Sequence, residues 1–331
     1  MTAKTEVFTN DGIQDGLNKK AKQKKRIAQI LPYAGLVLLI ILFMFTTNNR
    51  FLEPVNLTNL VDQGYTLIII AVGAAFIFSA GLLDLSIGSV MAVAQLLTAL
   101  VLRGRYAPVP VAILVSLGTG ALLCSITALI HLLLKVPIII ASLCMMSICT
   151  GIVTISVEKS DIYIPYSELG YFNTTPVMLT VLIIVLATGV FIFHYTRLGR
   201  DLKALGGNAA AAEQSGVNQF RSKLLSFVVM GLCIGIAAFF SLIRGGVVNG
   251  ASGSGIQMNI IIAIVLGGFP LMGGSKAKIV SAIIGALTIT VLSNGLILMG
   301  LDPAWAVLVK GFLFMTIIAV TYEKVPVRDV H

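Results

Sequence analysis

Long apolar runs alternate with short polar stretches along most of the chain. A helix needs about 20 apolar residues to cross the hydrocarbon core of a bilayer, and runs near this length recur. The pattern therefore predicts an all-α polytopic membrane protein with about ten transmembrane helices in a domain at 28–322. The predicted spans are 28–46, 63–81, 85–102, 108–134, 137–157, 176–194, 223–243, 258–272, 279–300 and 303–322.

Composition supports the membrane class. Of the 331 residues, 57% are hydrophobic and only 11% are charged, and the mean hydropathy is +0.98. A soluble globular protein carries about a quarter charged residues. This balance excludes an ordinary soluble enzyme.

Motifs for nucleotide or metal chemistry are absent. The chain has no Gly-Lys dipeptide, so it lacks the phosphate-binding loop G-x-x-x-x-G-K-[ST], and it lacks H-E-x-x-H. The cysteines lie within apolar runs without metal-ligand spacing, and we interpret them as small buried hydrophobic residues. We therefore expect no catalysis, no cofactor and no metal site. The cysteines are Cys124, Cys144, Cys149 and Cys233.

The charged residues predict the orientation in the membrane. Cytoplasmic loops carry an excess of Lys and Arg, and such residues concentrate in a tail at 1–27, in the insert at 195–222 and in a tail at 323–331. Both termini are therefore predicted to be cytoplasmic. This bias explains the net charge of +9 without a nucleic-acid partner. No A-x-A site follows the first apolar run, so no cleaved signal peptide is expected.

The polar insert contains a pattern for a short helix. Asn208 is a suitable N-cap, Ala209 to Ser215 are mostly strong helix formers, and Gly216 suits a left-handed C-terminal position. Two turns of helix are too short to be stable alone in water. The segment is either an ordinary surface loop or a docking helix for a cytoplasmic partner.

An internal repeat is also indicated. Gly81, Gly120 and Pro137 have counterparts at Gly246, Gly285 and Pro303, at offsets of 165, 165 and 166 residues. This offset covers five predicted spans, an odd number, so the halves at 28–157 and 176–322 would have opposite orientations. Inverted repeats with broken helices at matching positions are typical of transporters. The matching broken segments here are 81–89 and 246–259.

Polar residues in these segments are candidates for a translocation path. Asp84 lies among apolar residues, and it is either an N-cap for the third span, accepting from the amide of Ser86 or Ile87, or a contact for cargo. Lys310 lies about two turns into the last span. It either extends to the outer interface or meets a buried acid or helix-end carbonyl. The path candidates are Asp84, Ser86, Ser89, Asn249, Gln257 and Asn259.

Three motifs resemble those of a known family, the membrane permeases of bacterial ABC importers for ribose, galactose and related simple sugars. DLSIGSV at 84–90 resembles the family's G-x-D-L-S-x-G-S signature. LGRDLKALGGNAAAAEQSGV at 198–217 resembles its cytoplasmic loop. AIVLGGFPLMGG at 263–274 and LSNGLILMGLDPAWAVLVKG at 292–311 resemble its C-terminal pattern. The resemblance covers nearly the whole chain beyond the N-terminal tail.

The resemblance implies an inner-membrane permease that works as a pair, with a second copy or a sister permease. ATPase subunits would bind inside, and an extracytoplasmic substrate-binding protein would deliver the cargo. The 195–222 insert would then be a coupling loop for the ATPase. The residues implied in coupling are Gly199, Arg200, Ala204, Gly207, Asn208, Ala211, Ala212, Glu213 and Gly216. Lys310, Gly267 and Gly268 would have structural or gating roles.

The cargo is left open by departures from the family pattern. The family often has E-L-D-x-I-A-A before its first Gly-Gly, whereas Gln257 and Asn259 replace both acids here. Nucleosides or another furanose are the alternative cargo. An ion-coupled secondary transporter with five-plus-five inverted helices is a further alternative. Such a carrier usually needs several buried acids or an unwound carbonyl site, and Asp84, between the second and third predicted spans, is the one clear acid set among apolar residues of the membrane domain.

Overall fold

The computed structural model describes residues 31–103, 108–164, 170, 172–270 and 272–321. The predicted tails at 1–27 and 323–331 lie outside these residues. Helices form almost all of the described chain. They are α1 Leu31–Thr46, α2 Pro54–Ser79, α3 Ile87–Arg103, α4 Val109–Leu134, α5 Ile138–Val157, α6 Thr175–Tyr195, α7 Arg197–Gly207, α8 Ala209–Gln214, α9 Gln219–Gly245, α10 Ile256–Leu266, α11 Ile279–Leu298 and α12 Pro303–Thr321.

The helices confirm a polytopic membrane protein. Six of the described helices are long and apolar enough to cross a membrane, namely α2, α4, α5, α6, α9 and α11. α1, α3, α10 and α12 contain apolar helical segments that are shorter.

Two predicted helix boundaries were wrong, each for a local reason. α2 begins at Pro54 instead of residue 63, because proline suits the first turn of a helix and the Asn56 amide donates to the Phe51 carbonyl at 2.8 Å. Polar residues in its first turns hid this start. α10 ends at Leu266 instead of 272. Gly268 there takes the left-handed φ of 75°, which does not continue a helix.

Burial separates central from peripheral helices. In the most apolar windows of α2, α9 and α11, 67–72% of the residues are buried, whereas in α4, α5 and α6 only 28–33% are. In a bilayer, exposed apolar side chains face lipid at no cost. α2, α9 and α11 therefore form the centre of the molecule.

The close approach of α4 and α9 depends on glycine. A Cβ on Gly120 would lie against the Gly231 carbonyl oxygen and 3.0 Å from the Gly235 amide nitrogen. The Ser116 hydroxyl also donates to the Gly235 carbonyl at 2.7 Å. Small residues four positions apart on one helix, such as Gly231 and Gly235, are typical of close helix packing in membranes.

A small sheet was not predicted. β1 Ile162–Tyr163 pairs antiparallel with β2 Val247–Val248, and Ile162 lies opposite Val248. The sheet joins the segment after α5 to the segment after α9. Two-residue strands leave no periodic signal in a sequence, because alternation needs several positions to be visible.

Candidate functional site

The first junction, residues 81–89, reverses the chain between α2 and α3. Gly81 has a φ of 73°, a conformation that favours glycine. Asp84 is fully buried. Its Oδ1 accepts from the Ser86 amide at 2.7 Å and from the Ser86 hydroxyl at 2.6 Å. The predicted bond to the Ser86 amide is confirmed.

The other oxygen of Asp84 is unused. Oδ2 is buried and has no hydrogen-bond partner among the described residues. The remaining polar side chain of this junction, Ser89, donates to the Ser86 carbonyl at 2.9 Å. Both serine hydroxyls thus donate locally, and Oδ2 of Asp84 remains as a buried oxygen that could accept from another group.

The second junction, residues 246–259, contains a similar turn. Gly246 has a φ of 68°. The Asn249 Oδ1 accepts from the Ala251 amide at 3.0 Å, and the Asn249 amide donates to the Ser252 hydroxyl at 3.0 Å. Asn249 is therefore engaged in its own loop.

The two junctions touch each other. A Cβ on Gly88 would lie against the Gly253 carbonyl oxygen and 2.5 Å from Oε1 of Gln257. That Oε1 atom is buried and has no hydrogen-bond partner among the described residues. The start of α3 and the start of α10 thus meet. Each of the two junctions carries one buried acceptor without a partner among the described residues, Oδ2 of Asp84 and Oε1 of Gln257.

Lys310 points inward from α12 to α10. Its side chain is only 8% exposed, and its ammonium donates to Oδ1 of Asn259 at 3.0 Å. It does not extend to the outer interface. The second alternative is confirmed in that Lys310 meets a partner within the fold, but that partner is a neutral side-chain amide instead of an acid or a helix-end carbonyl.

Gly267 and Gly268 form the end of α10. A Cβ on Gly267 would lie against the Ser281 carbonyl oxygen and 3.1 Å from the Gly285 amide nitrogen. These contacts bring α10 and α11 together at backbone distance.

The C-terminal S-N-G motif holds three helices together. The Asn294 amide on α11 donates to Oδ1 of Asn56 on α2 at 3.0 Å. A Cβ on Gly295 would collide with the Phe43 ring of α1. This motif therefore stabilises the packing of α1, α2 and α11. Its partners lie too far away in the sequence for a local pattern to reveal them.

The predicted short helix is confirmed as α8 Ala209–Gln214, with both of its ends. The Asn208 side chain accepts from the Ala211 amide at 3.0 Å. At the other end Gly216 has a φ of 86°, and the Val217 amide donates to the Ala212 carbonyl at 3.0 Å. These bonds satisfy helix-end groups that otherwise need water.

Exposure divides the residues predicted for coupling. Gly199 and Ala212 are buried, and Gly199 packs against the Phe193 carbonyl. The Glu213 carboxylate accepts from the Gln219 side-chain amide at 2.9 Å. Glu213 and the six other predicted coupling residues are exposed. We call these seven residues the docking surface: Arg200, Ala204, Gly207, Asn208, Ala211, Glu213 and Gly216.

Helix α7 was missed from the sequence. Leu198, Leu202 and Leu205 recur at helical spacing, which was the available signal, and the last two are buried. The Lys203 ammonium lies 4.3 Å above the centre of the Phe193 ring, an attractive cation–π arrangement. Burial lowers the pKa of the Lys203 ammonium.

No group of three or more His, Cys, Asp or Glu residues in the described part of the chain is arranged to hold a metal ion.

Comparison with known proteins decides the family. Residues 56–318 match the family described as "Branched-chain amino acid transport system / permease component". The chain belongs to this permease family. It is 30% identical over 297 residues to the ribose import permease protein RbsC of Escherichia coli strain K12, covering 87% of this chain and 92% of the relative.

Two further relatives come from the same organism. The galactofuranose transporter permease protein YtfT is 29% identical over 275 residues, covering 80% of this chain and 79% of the relative. The probable ABC transporter permease protein YphD is 28% identical over 305 residues, covering 90% and 91%. No solved structure matches the chain. The resemblance seen in the motifs is confirmed, and this permease is a multi-pass protein of the inner membrane.

Proposed function

We propose that this permease forms the membrane path of an ATP-driven importer, through which a simple sugar passes after delivery by a binding protein. The observation that carries the proposal is the likeness to the ribose import permease over 87% of the chain. The docking surface on α7 and α8 adds a place for an ATPase subunit to bind. This chain supplies the path, and the energy comes from the partner.

Contacts within the structure support the predicted alternation of inside and outside. The end of α2, the end of α7 and the loop after α10 are all predicted to be cytoplasmic, and the Gly274 amide of that loop donates to the Ser79 carbonyl of α2 at 2.9 Å. The segments of β1 and β2 are both predicted to be outside, and they pair with each other. With this alternation, ten spans place both termini inside.

Matching local geometry supports the inverted repeat. Gly81 and Gly246 share a left-handed conformation, with φ of 73° and 68°. Three residues further on, Asp84 and Asn249 each accept from the backbone amide two positions ahead. Both residue pairs are separated by 165 positions. The two junctions are therefore repeated elements, as in transporters whose halves move around a central site.

Cargo recognition is proposed at the meeting point of the junctions. Sugar hydroxyls donate hydrogen bonds, and the Oδ2 atom of Asp84 and the Oε1 atom of Gln257 are acceptors without partners in the described part of the chain. Buried acceptors need such donors to offset their loss of water. A furanose cargo is the second candidate, because a relative of this length is named for galactofuranose transport.

Affinity purification tests the role directly. The tagged permease is extracted in mild detergent, and the co-purifying proteins are identified by mass spectrometry. We expect an ATPase subunit and a binding protein, and the binding protein is then titrated with ribose, galactose, galactofuranose and a nucleoside. Reconstituted with its ATPase in liposomes, the permease should take up the bound sugar only with ATP. Uptake driven by an ion gradient without an ATPase would favour a secondary transporter instead.

A further inference from the structure

The end of α2, the end of α7 and the loop after α10 are remote from one another in sequence, but their backbones are in direct contact. We call Ser79, Gly206, Gly273 and Gly274 the backbone joint. The Gly274 amide donates to the Ser79 carbonyl at 2.9 Å. A Cβ on Gly206 would lie against that same carbonyl oxygen and 2.6 Å from the Gly274 nitrogen.

Gly273 completes the contact. A Cβ on this residue would also lie against the Ser79 oxygen, 2.7 Å from the Phe78 oxygen and 2.7 Å from the Gly81 nitrogen. Two glycines from different segments therefore approach one carbonyl group, with no side chain between them. Side chains absorb small displacements by changing rotamer, whereas touching backbones have no such freedom.

The joint connects the docking surface to both junctions. α7 leads into α8 through Gly207 and Asn208. The Ser79 carbonyl ends α2, five residues before Asp84. The Gly273 loop follows α10, whose start forms the second junction. A displacement of α7 therefore reaches both junctions through the backbone alone.

The other end of α7 is fixed as well. A Cβ on Gly199 would lie against the Phe193 carbonyl, and the Lys203 ammonium donates to the same carbonyl at 3.4 Å. α7 is thus held at its start by α6 and at its end by the joint.

We propose that the backbone joint transmits the movement of the ATPase-bound docking surface to the two junctions, with Gly206 as its positioning residue. The proposal rests on the ATPase-coupling role proposed above. It adds that the end of α2, the end of α7 and the Gly273 loop keep their mutual contacts while the permease switches sides.

The first test is Gly206→Ala in the reconstituted complex of permease and ATPase. Gly118→Ala is the matched control, because Gly118 also lies in a helix and a Cβ there meets no atom within 4 Å. We expect Gly206→Ala to retain the ATPase and to hydrolyse ATP within about twofold of the wild type. Sugar uptake for each ATP hydrolysed should fall at least fivefold, while the control keeps the wild-type ratio. An unchanged ratio in Gly206→Ala overturns the proposal.

The second test needs no substitution, so it holds even where Gly206→Ala does not fold. Hydrogen–deuterium exchange is measured on the wild-type complex without nucleotide and after trapping with ATP and vanadate. We expect the peptide containing the Gly274 amide to show equal protection in both states. Exchange of this peptide that is at least tenfold faster in one state than in the other shows that the joint opens, and it overturns the proposal.

Failure of the coupling role itself is recognised separately. Gly207→Trp, on the docking surface, should abolish co-purification of the ATPase, whereas Gly206→Ala should not. If the wild-type permease retains no ATPase in detergent or in lipid nanodiscs, the coupling role fails and the joint proposal falls with it. If the wild type retains the ATPase but Gly206→Ala takes up as much sugar for each ATP hydrolysed as the wild type does, the joint proposal is wrong and the coupling role stands.

Discussion

The carbonyl oxygens of Gly88 and Gly253 each occupy the position where a Cβ on the other residue would lie. A Cβ on Gly88 would lie against the Gly253 carbonyl oxygen, and a Cβ on Gly253 would lie against the Gly88 carbonyl oxygen. The two residues are separated by 165 positions, the offset of the proposed internal repeat. A reciprocal contact between equivalent residues is expected where a two-fold axis passes between them, so this contact supports the proposed inverted repeat.

Gly88→Ala should therefore destabilise the contact between the halves. Forcing a methyl group into such a site typically costs about 1–3 kcal/mol, and we expect a lower unfolding temperature together with reduced uptake. The unfolding temperature is measured in detergent by intrinsic fluorescence. Gly118→Ala is the control with free space, and an equal temperature for the two variants would contradict the packing argument.

Asp84→Asn separates the capping role of Asp84 from its contact with cargo. Asparagine retains an oxygen for the Ser86 amide, but its NH2 group replaces the open Oδ2 acceptor with a donor, and the charge is lost. We expect uptake to fall at least about tenfold, the size of a hydrogen bond to a charged group, while expression is nearly unchanged.

The comparison variant is Asp84→Ala, which loses the bond to Ser86 as well and should lower both yield and uptake. Parallel loss of yield and uptake in Asp84→Asn would show that Asp84 only caps α3.

Asn208→Ala should weaken binding of the ATPase. Loss of the N-cap costs about 1 kcal/mol, because the Ala211 amide loses its acceptor, and α8 has only six residues. We expect about fivefold weaker binding of the ATPase, measured by titration in nanodiscs. Asn208→Ser keeps a capping oxygen and should restore most of the affinity. If serine is as weak as alanine, Asn208 contacts the partner directly.

Asn259→Asp should strengthen the contact with Lys310. The substitution turns a bond to a neutral amide into an ion pair at the same distance, and the buried ammonium gains a counter-charge. We expect a higher unfolding temperature. Asn259→Leu leaves the ammonium without this partner, which costs about 1–3 kcal/mol, so its unfolding temperature should fall. A fall in both variants would mean that the amide geometry matters more than the charge.

Local features of this permease could be predicted from the sequence. The caps of α8 depend on Asn208 and Gly216, and the Asp84 bond reaches only two residues along the chain. The close packing of Gly231 and Gly235 follows from their spacing. In each case the physical cause lies within one or two helical turns.

Contacts across the fold could not be predicted in this way. Neither partner of the Lys310 bond to Asn259 indicates the other, because 51 residues separate them. The same holds for the bond between Asn56 and Asn294. The start of α2 was hidden because tertiary packing stabilises its polar first turns, which local propensity alone does not favour.

The length of α10 has a consequence for crossing the membrane. Its 11 residues extend over about 16 Å, roughly half of the hydrocarbon core of a bilayer. A helix of this length cannot cross that core alone, so the non-helical second junction completes the crossing at this position. Irregular backbone at membrane depth is tolerated only where protein or a water-filled cavity surrounds it, so the neighbouring helices must shield this segment from lipid.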